Sequence, residues 1–224
     1  MASVIILLYW RQNLSYSYAD KSWQEIFANE ISLISSTEAK LILNAIFEKV
    51  QDKHKVAPAS STGKYHPGCS LGDGGLVRHI KFVTRNVMEL IKATPEVESE
   101  KDELIVAAIL HDLCKYPNGD ADKYTAANHP TIMAKIIVDT CPSSEMAKTI
   151  ARLVACHQGR AEWNRDKKTG ELINPSPKEQ DEYVLHYADL LASRPYLNPG
   201  FDETGNIILD PCENRGDIIK ESCK

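Results

Sequence analysis

An all-α fold, a helical bundle with small hairpin insertions, is what this sequence predicts, and three observations lead to it. Apolar residues recur at steps of three and four through long stretches between Trp23 and Ser193, the period of one helix face. The segment "LIVAAIL" at 104–110 is apolar all round, which places it at the centre of a bundle. Breaks such as "SST" at 35–37 and "CPSS" at 141–144 separate these segments and offer N-caps to the helices that follow.

Taken in order, "SVIILLYW" at 3–10 is eight residues long, well short of the roughly 20 apolar residues that a membrane span needs. It also lacks the basic region and small-residue cleavage site of a secretory signal, so a strand or buried arm is expected there. Residues 22–52 carry Trp23, Ile26, Phe27 and Ile31, then Leu41, Ile42, Ala45, Ile46 and Val50, which spacing predicts as two helices. The stretch 54–76 is too rich in Gly, Pro and Ser for a helix and is predicted as a long loop. Gly74 and Gly75 at its end mark an unusual backbone turn.

Leu76, Ile80, Val83, Val87, Leu90 and Ile91 form the stripe of a helix over about 76–91. Further helices are predicted over about 103–113, 125–139, 145–157 and 178–193, the last stopping before Pro195. Residues 159–178 contain a Lys-Thr-Gly turn between short flanks, and "FDETGNIILDP" at 201–211 has a similar pattern, so both are predicted as small hairpins.

A chain of 224 residues can bury one sizeable core. The expected organisation is an N-terminal helical extension over 1–60, a main domain over 61–195, and a tail over 196–224. A net charge of -5 and a pI of about 5.8 give no general field for a nucleic-acid backbone. The six cysteines include no CxxC pair, as expected of reduced thiols in a cytoplasmic protein with no membrane contact. Cys114 and Cys156 read as small buried fillers.

Metal-capable side chains fall one or two to a helix. His79 lies in the first of the five helices from residue 76 on, His111 and Asp112 end the second, and His129 opens the third. His157 ends the fourth and Asp189 sits inside the fifth, next to Leu190 and Leu191. An unpaired carboxylate among apolar neighbours needs a cation or strong donors. Imidazole and carboxylate together are a ligand set that Zn, Mn, Fe, Ni and Co accept.

This order, H…HD…H…H…D over roughly residues 65–195, resembles the HD superfamily of metal-dependent phosphohydrolases. The resemblance implies an all-helical domain around a central metal site holding one or two divalent ions, with Mg acceptable beside the transition metals. It implies that His79, His111, Asp112 and Asp189 hold one metal, and that Asp112 bridges to a second bound also by His129 and His157. Some two-metal members have consecutive histidines where this chain has His157 followed by Gln158, a departure that weakens the second site. The family's HDxxK pattern implies that Lys115 faces the scissile phosphate.

The lead-in "KYHPGCSLGDGGLVRH" is similar to that of HD-type 3′-5′ exoribonucleases, which implies that His66 lies near the site, where it contacts substrate or protonates a leaving group. Arg78, Lys81, Arg160 and Arg194 are further phosphate candidates. Tyr116 and Trp163 are candidates to stack a base or line a pocket. His186, three residues before Asp189, either supports the ligands or simply packs, and His54 in "QDKHK" reads as solvated.

The expected function is therefore metal-dependent hydrolysis of a nucleotide phosphoester or phosphoanhydride, of nucleotidase or nucleoside-triphosphate hydrolase type. The alternatives are a 3′-5′ exonuclease or phosphodiesterase on short nucleic acid and an HD-fold diiron oxygenase. A nucleotide sensor without catalysis is a third, weakened by retention of the whole ligand pattern. A (p)ppGpp hydrolase is disfavoured, because the acidic pair of that group is absent after His111–Asp112.

Overall fold

The helices begin where the sequence supplies donors' partners. In the computed structural model, which describes residues 17–117, 124–160 and 162–208, Ser22 and Glu25 form a reciprocal capping box at α1, Trp23–Ile26. The short α2, Ala28–Ser32, follows after non-helical Phe27, so the first of the two helices predicted over 22–52 is two short ones. Helix α3, Thr37–Phe47, is capped by Ser36, whose hydroxyl accepts from the Ala39 N–H. The predicted break at 35–37 is thus a cap. The N-terminal "SVIILLYW" and the end of the tail lie outside the described residues.

The 54–76 loop is ordered by short 3₁₀ turns at Asp52–Lys55 and Gly68–Ser70 before α4, Gly75–Ala93. Gly74 has φ 68°, and a Cβ there would sit 2.6 Å from the Tyr18 ring. At Gly75 a Cβ would meet the Ser70 carbonyl oxygen at 2.3 Å. The expected special turn is therefore real, and it requires glycine at both positions.

Helix α5, Lys101–Leu110, is buried at every residue from Leu104 to Leu110 and touches α3, α4, α7 and α8. It ends three residues earlier than the sequence predicts. The chain turns at His111–Tyr116 and so presents those polar side chains beyond the helix end. Helix α6, His129–Thr140, starts later than predicted, because Pro130 lies in its first turn. A proline lacks the N–H that an interior position would need. Helices α7, Glu145–Cys156, and α8, Gln180–Ala192, are capped at Ser144 and Glu179 and match the predicted positions closely.

Among the described residues the fold is all-α, with eight helices and no strand. The two predicted hairpins are present as single antiparallel bridges, Arg165 with Leu172 and Phe201 with Ile207. One continuous apolar core runs from Tyr18 and Trp23 through α4 and α5 to Ala192. Asp102, in the first turn of α5, accepts from the backbone N–H groups of Ser35 and Ser36, fixing the α3 entrance to the central helix.

Candidate metal centre

The ends of five helices converge on one buried cluster. His111 and His157 are the C-caps of α5 and α7, and His129 is the first residue of α6. His79 comes from α4 and Asp189 from α8, which pack side by side. The helix periodicity that buries the apolar stripes also carries these polar groups inward: His79, His111, Asp112, His129 and His157 are all nearly inaccessible to solvent.

Three of the four imidazoles are locked in the same tautomer. Nδ1 of His111 lies 2.7 Å from the Ala108 carbonyl, Nδ1 of His129 2.7 Å from that of Ala126, and Nδ1 of His157 2.8 Å from that of Val154. Each Nδ1–H donates to the carbonyl three residues back, which leaves Nε2 as a lone-pair donor facing the cluster. That is the outer-shell arrangement which orients metal-binding histidines.

The Asp112 carboxylate stands between two sets of these nitrogens. Its Oδ2 is 3.6 Å from His79 Nε2 and 3.5 Å from His111 Nε2, while Oδ1 is 2.9 Å from His129 Nε2 and 3.8 Å from His157 Nε2. Asp189 Oδ1 joins the first set, 3.0 Å from His79 Nε2 and 3.8 Å from His111 Nε2. Two triads, His79–His111–Asp189 and His111–Asp112–His157, each bring their ligand atoms close enough to share one ion.

Electrostatics agrees with that geometry. Nε2 of His79, His111 and His129 is buried without a hydrogen-bond partner, although carboxylate oxygens lie close by. Burial would raise the Asp189 carboxyl, but the close His79 imidazole and those of His111 and His157 hold it far below the usual carboxylate range. Burial likewise opposes ionisation of Asp112, and Lys115 and His111 overcome it. Burial pushes His79 down and His157 down to about 3, whereas at His111 burial is outweighed by Asp112, Asp189 and the Ala108 carbonyl together, which lift the imidazole. Ionised carboxylates facing orphaned imidazole lone pairs are the environment that a bound divalent cation satisfies. The donor set fits a metal.

Above the cluster lies a cavity of ≈ 490 Å³, onto which Asp112, His129, His157 and Asp189 open together with Lys115 and Arg194. Lys115 Nζ is 2.5 Å from Asp112 Oδ2. Arg194 spends its Nε–H on the Leu190 carbonyl at 3.0 Å. His66 also lines the cavity, its ring centroid 4.9 Å from that of His79. Burial, with His79 and Lys115 adding to it, lowers the His66 imidazole to about 3.

The HD-domain family model matches residues 76–193, more than half of the 224-residue chain. The chain belongs to the HD-domain family. No curated protein and no solved structure matches it. HD domains form a superfamily of metal-dependent phosphohydrolases, and the His/Asp cluster of this HD domain fits a divalent-metal site.

Several sequence expectations need correction around this HD domain. Arg78 is buried, with its Nε and Nη2 donating to the Cys69 and Leu71 carbonyls, so it closes the loop before α4 and does not line the cavity. Lys81 is buried with Nζ 3.0 Å from Glu30 and 3.1 Å from Asn206, and it too is outside the cavity. Arg160 is exposed and does not line it. His54 is buried rather than solvated: the 3₁₀ turn brings Nδ1 to the Gln51 carbonyl, and Nε2 accepts the Tyr116 N–H at 3.3 Å.

Tyr116 packs, its hydroxyl donating to the Pro58 carbonyl, and the Trp163 side chain lies outside the described residues. Cys114 and Cys156 are free, buried thiols. His186 packs against the His157–Gly159 segment, its Nδ1 2.7 Å from the His157 carbonyl. Sequence reasoning missed Asn164 and Asn174, a fully buried pair beside the His157 segment. Their only trace in the sequence is an asparagine at either end of the 164–174 insertion.

Proposed function

We propose that this HD domain hydrolyses a phosphoester or phosphoanhydride of a nucleotide, as a nucleotidase or nucleoside-triphosphate hydrolase, with 61–195 as the catalytic unit. The observation that carries the proposal is the Asp112 carboxylate set between two groups of imidazoles, at the floor of a cavity that also holds Lys115 and Arg194. His79, His111, Asp112 and Asp189 would hold one ion, and Asp112, His129 and His157 a second. Nitrogen and oxygen donors in this ratio suit Mn, Fe, Co, Ni or Zn. A divalent metal in such a site supplies Lewis acidity toward a phosphoryl oxygen and makes water a competent nucleophile near neutral pH.

The protein's own groups supply the rest. Asp112 orients the site from both of its oxygens, and its ionised state is protected by Lys115. Lys115, lining the cavity one turn beyond, balances negative charge that develops on the substrate's phosphoryl oxygens. Arg194 at the end of α8 binds a phosphate, and His66 contacts substrate beside His79. The enclosed floor limits competing water around these groups. A cavity of ≈ 490 Å³ matches the size of small-molecule sites. That supports a mononucleotide over a nucleic-acid strand, as does the acidic net charge of -5.

The test is a screen of mono-, di- and triphosphate nucleotides, cyclic nucleotides and short RNA and DNA with Mn, Co or Ni added. Release of phosphate from nucleotides, lost in Asp112→Ala, is the expected result. Turnover of oligonucleotides alone would favour the exonuclease alternative. Iron with an EPR-active mixed-valent signal and no phosphoester turnover would favour the diiron oxygenase.

A further inference from the structure

Gln158 stands where some two-metal HD domains carry a second histidine, and the hydrogen bonds around it decide what it offers instead. Asn174 is buried, and its Nδ2 faces three acceptors: the Ala127 carbonyl at 2.8 Å, Asn164 Oδ1 at 2.8 Å and Gln158 Oε1 at 3.0 Å. The polarity is forced. Asn164 Oδ1 accepts the Asn174 backbone N–H, Asn164 Nδ2 donates to the Gly159 and Asn174 carbonyls, and Asn174 Nδ2 must face the Ala127 carbonyl, which can only accept. A flipped Gln158 would set one amide nitrogen against another.

Gln158 Oε1 therefore faces the Asn174 amide nitrogen, whose two N–H groups it shares with the Ala127 carbonyl and Asn164 Oδ1. The amide nitrogen has no hydrogen bond to any described residue, is not buried, and belongs to a side chain that lines the cavity. With its oxygen turned toward Asn174, Gln158 aims its amide nitrogen elsewhere. It presents a neutral N–H donor in a cavity that also exposes Lys115, Lys167 and Arg194. The same asparagine pair anchors the insertion that carries Lys167. Donors of this kind, among cations, match phosphate oxygens.

We propose that Gln158 is a substrate-binding residue whose amide nitrogen donates to a phosphate oxygen, and that Asn174 is the positioning residue that aims it. This rests on the phosphohydrolase reading and extends it to a residue outside the metal ligands.

The test is calorimetric binding of inorganic phosphate to Mn-loaded protein, with Mn content and p-nitrophenyl phosphate turnover measured alongside. Gln158→Glu keeps an acceptor for Asn174 but turns an anion toward the cavity, and Gln158→Ala removes the group. Both are expected to weaken phosphate binding about tenfold or more, the scale of a hydrogen bond to a charged group, and to raise KM more than they lower kcat, with Mn content unchanged. Asn174→Ala should raise KM similarly and add nothing to Gln158→Ala; should it fail to fold, the Gln158 variants decide alone. Wild-type affinity in both Gln158 variants, a loss that follows loss of Mn, or a wild-type protein that binds no phosphate overturns the proposal. Should the wild type turn over no phosphoester while its phosphate binding still depends on Gln158, the subsite stands and the hydrolase reading falls.

Discussion

The two oxygens of Asp112 look onto unequal halves of the same cluster. On the Oδ2 side are His79, His111 and the carboxylate of Asp189, drawn from α4, α5 and α8, helices that pack directly on one another. On the Oδ1 side, among the described residues, are His129 and His157, from α6 and α7. The first half has three donors besides Asp112, one of them a second anion; the second has two imidazoles and a neighbouring glutamine whose oxygen faces Asn174. A dication gains more from the half with the extra negative charge. The comparison predicts a tight ion on the first side and an exchangeable one on the second, and it can be broken in four ways.

The largest effect belongs to the residue common to both halves. Asp112→Ala should lower kcat/KM for any phosphoester substrate at least about a thousandfold, since the lost charge stabilisation amounts to several kcal/mol. Steady-state kinetics with excess Mn checks this. A variant retaining a tenth of wild-type activity would remove Asp112 from the centre of the site.

Next comes the asymmetry itself. His79→Ala should weaken the first ion by more than about a hundredfold, beyond the loss expected from disturbing a supporting residue. His129→Ala should leave that ion in place and abolish only the second. Metal analysis after gel filtration separates the two outcomes, and equal losses from both variants would erase the distinction between the halves.

Chelation gives a smaller effect on the whole fold. An ion present at 100 times its dissociation constant stabilises the native state by about 2.7 kcal/mol, so removing metal should lower Tm measurably. His129→Ala should keep most of that difference and His79→Ala should lose it.

The smallest effect concerns the joint between α7 and α8, which carry His157 and Asp189. Arg152 on α7 pairs with Asp181 and Glu182 on α8, the latter at 2.8 Å. Arg152 is partly exposed, so Arg152→Ala should cost about 1 kcal/mol or less, read by urea unfolding, without changing metal content. Burial raises the Glu182 carboxyl, but the Glu179 and Lys178 N–H groups and Arg152 together hold it below its ordinary value. A lowered carboxyl contributes stability above its unfolded-state pKa and loses it as the pH falls through the folded value. Arg152→Ala should therefore lose less stability than wild type between neutral pH and the acid range below about pH 4.

Much of this was legible in the sequence because helices and metal ligands both leave periodic marks. The stripe from Leu76 to Ile91 gave a helix within two residues of the observed one, and the all-apolar 104–110 gave the central helix. Through its resemblance to the HD superfamily, the order His79, His111–Asp112, His129, His157, Asp189 implies one cluster. Cations were poorly legible. Arg78, Lys81, Arg160 and Arg194 look alike in a sequence, but only Arg194 reaches the cavity, while loop carbonyls engage Arg78 and Glu30 engages Lys81. A long flexible side chain carries no local sign of which of several distant partners it meets.

Local pattern by itself determined where most helices lie, the caps at Ser36 and Ser144 and the residue types of a metal centre, because those depend on neighbours three or four positions away. Tertiary structure decided the rest: that Asp112 faces His79 and His111 with one oxygen and His129 and His157 with the other, that His54 is buried against Tyr116, and that Asn174 takes the oxygen of Gln158. Apart from the adjacent His111–Asp112 pair, these join residues 16 to 62 positions apart, where only the packing of helices sets which groups meet.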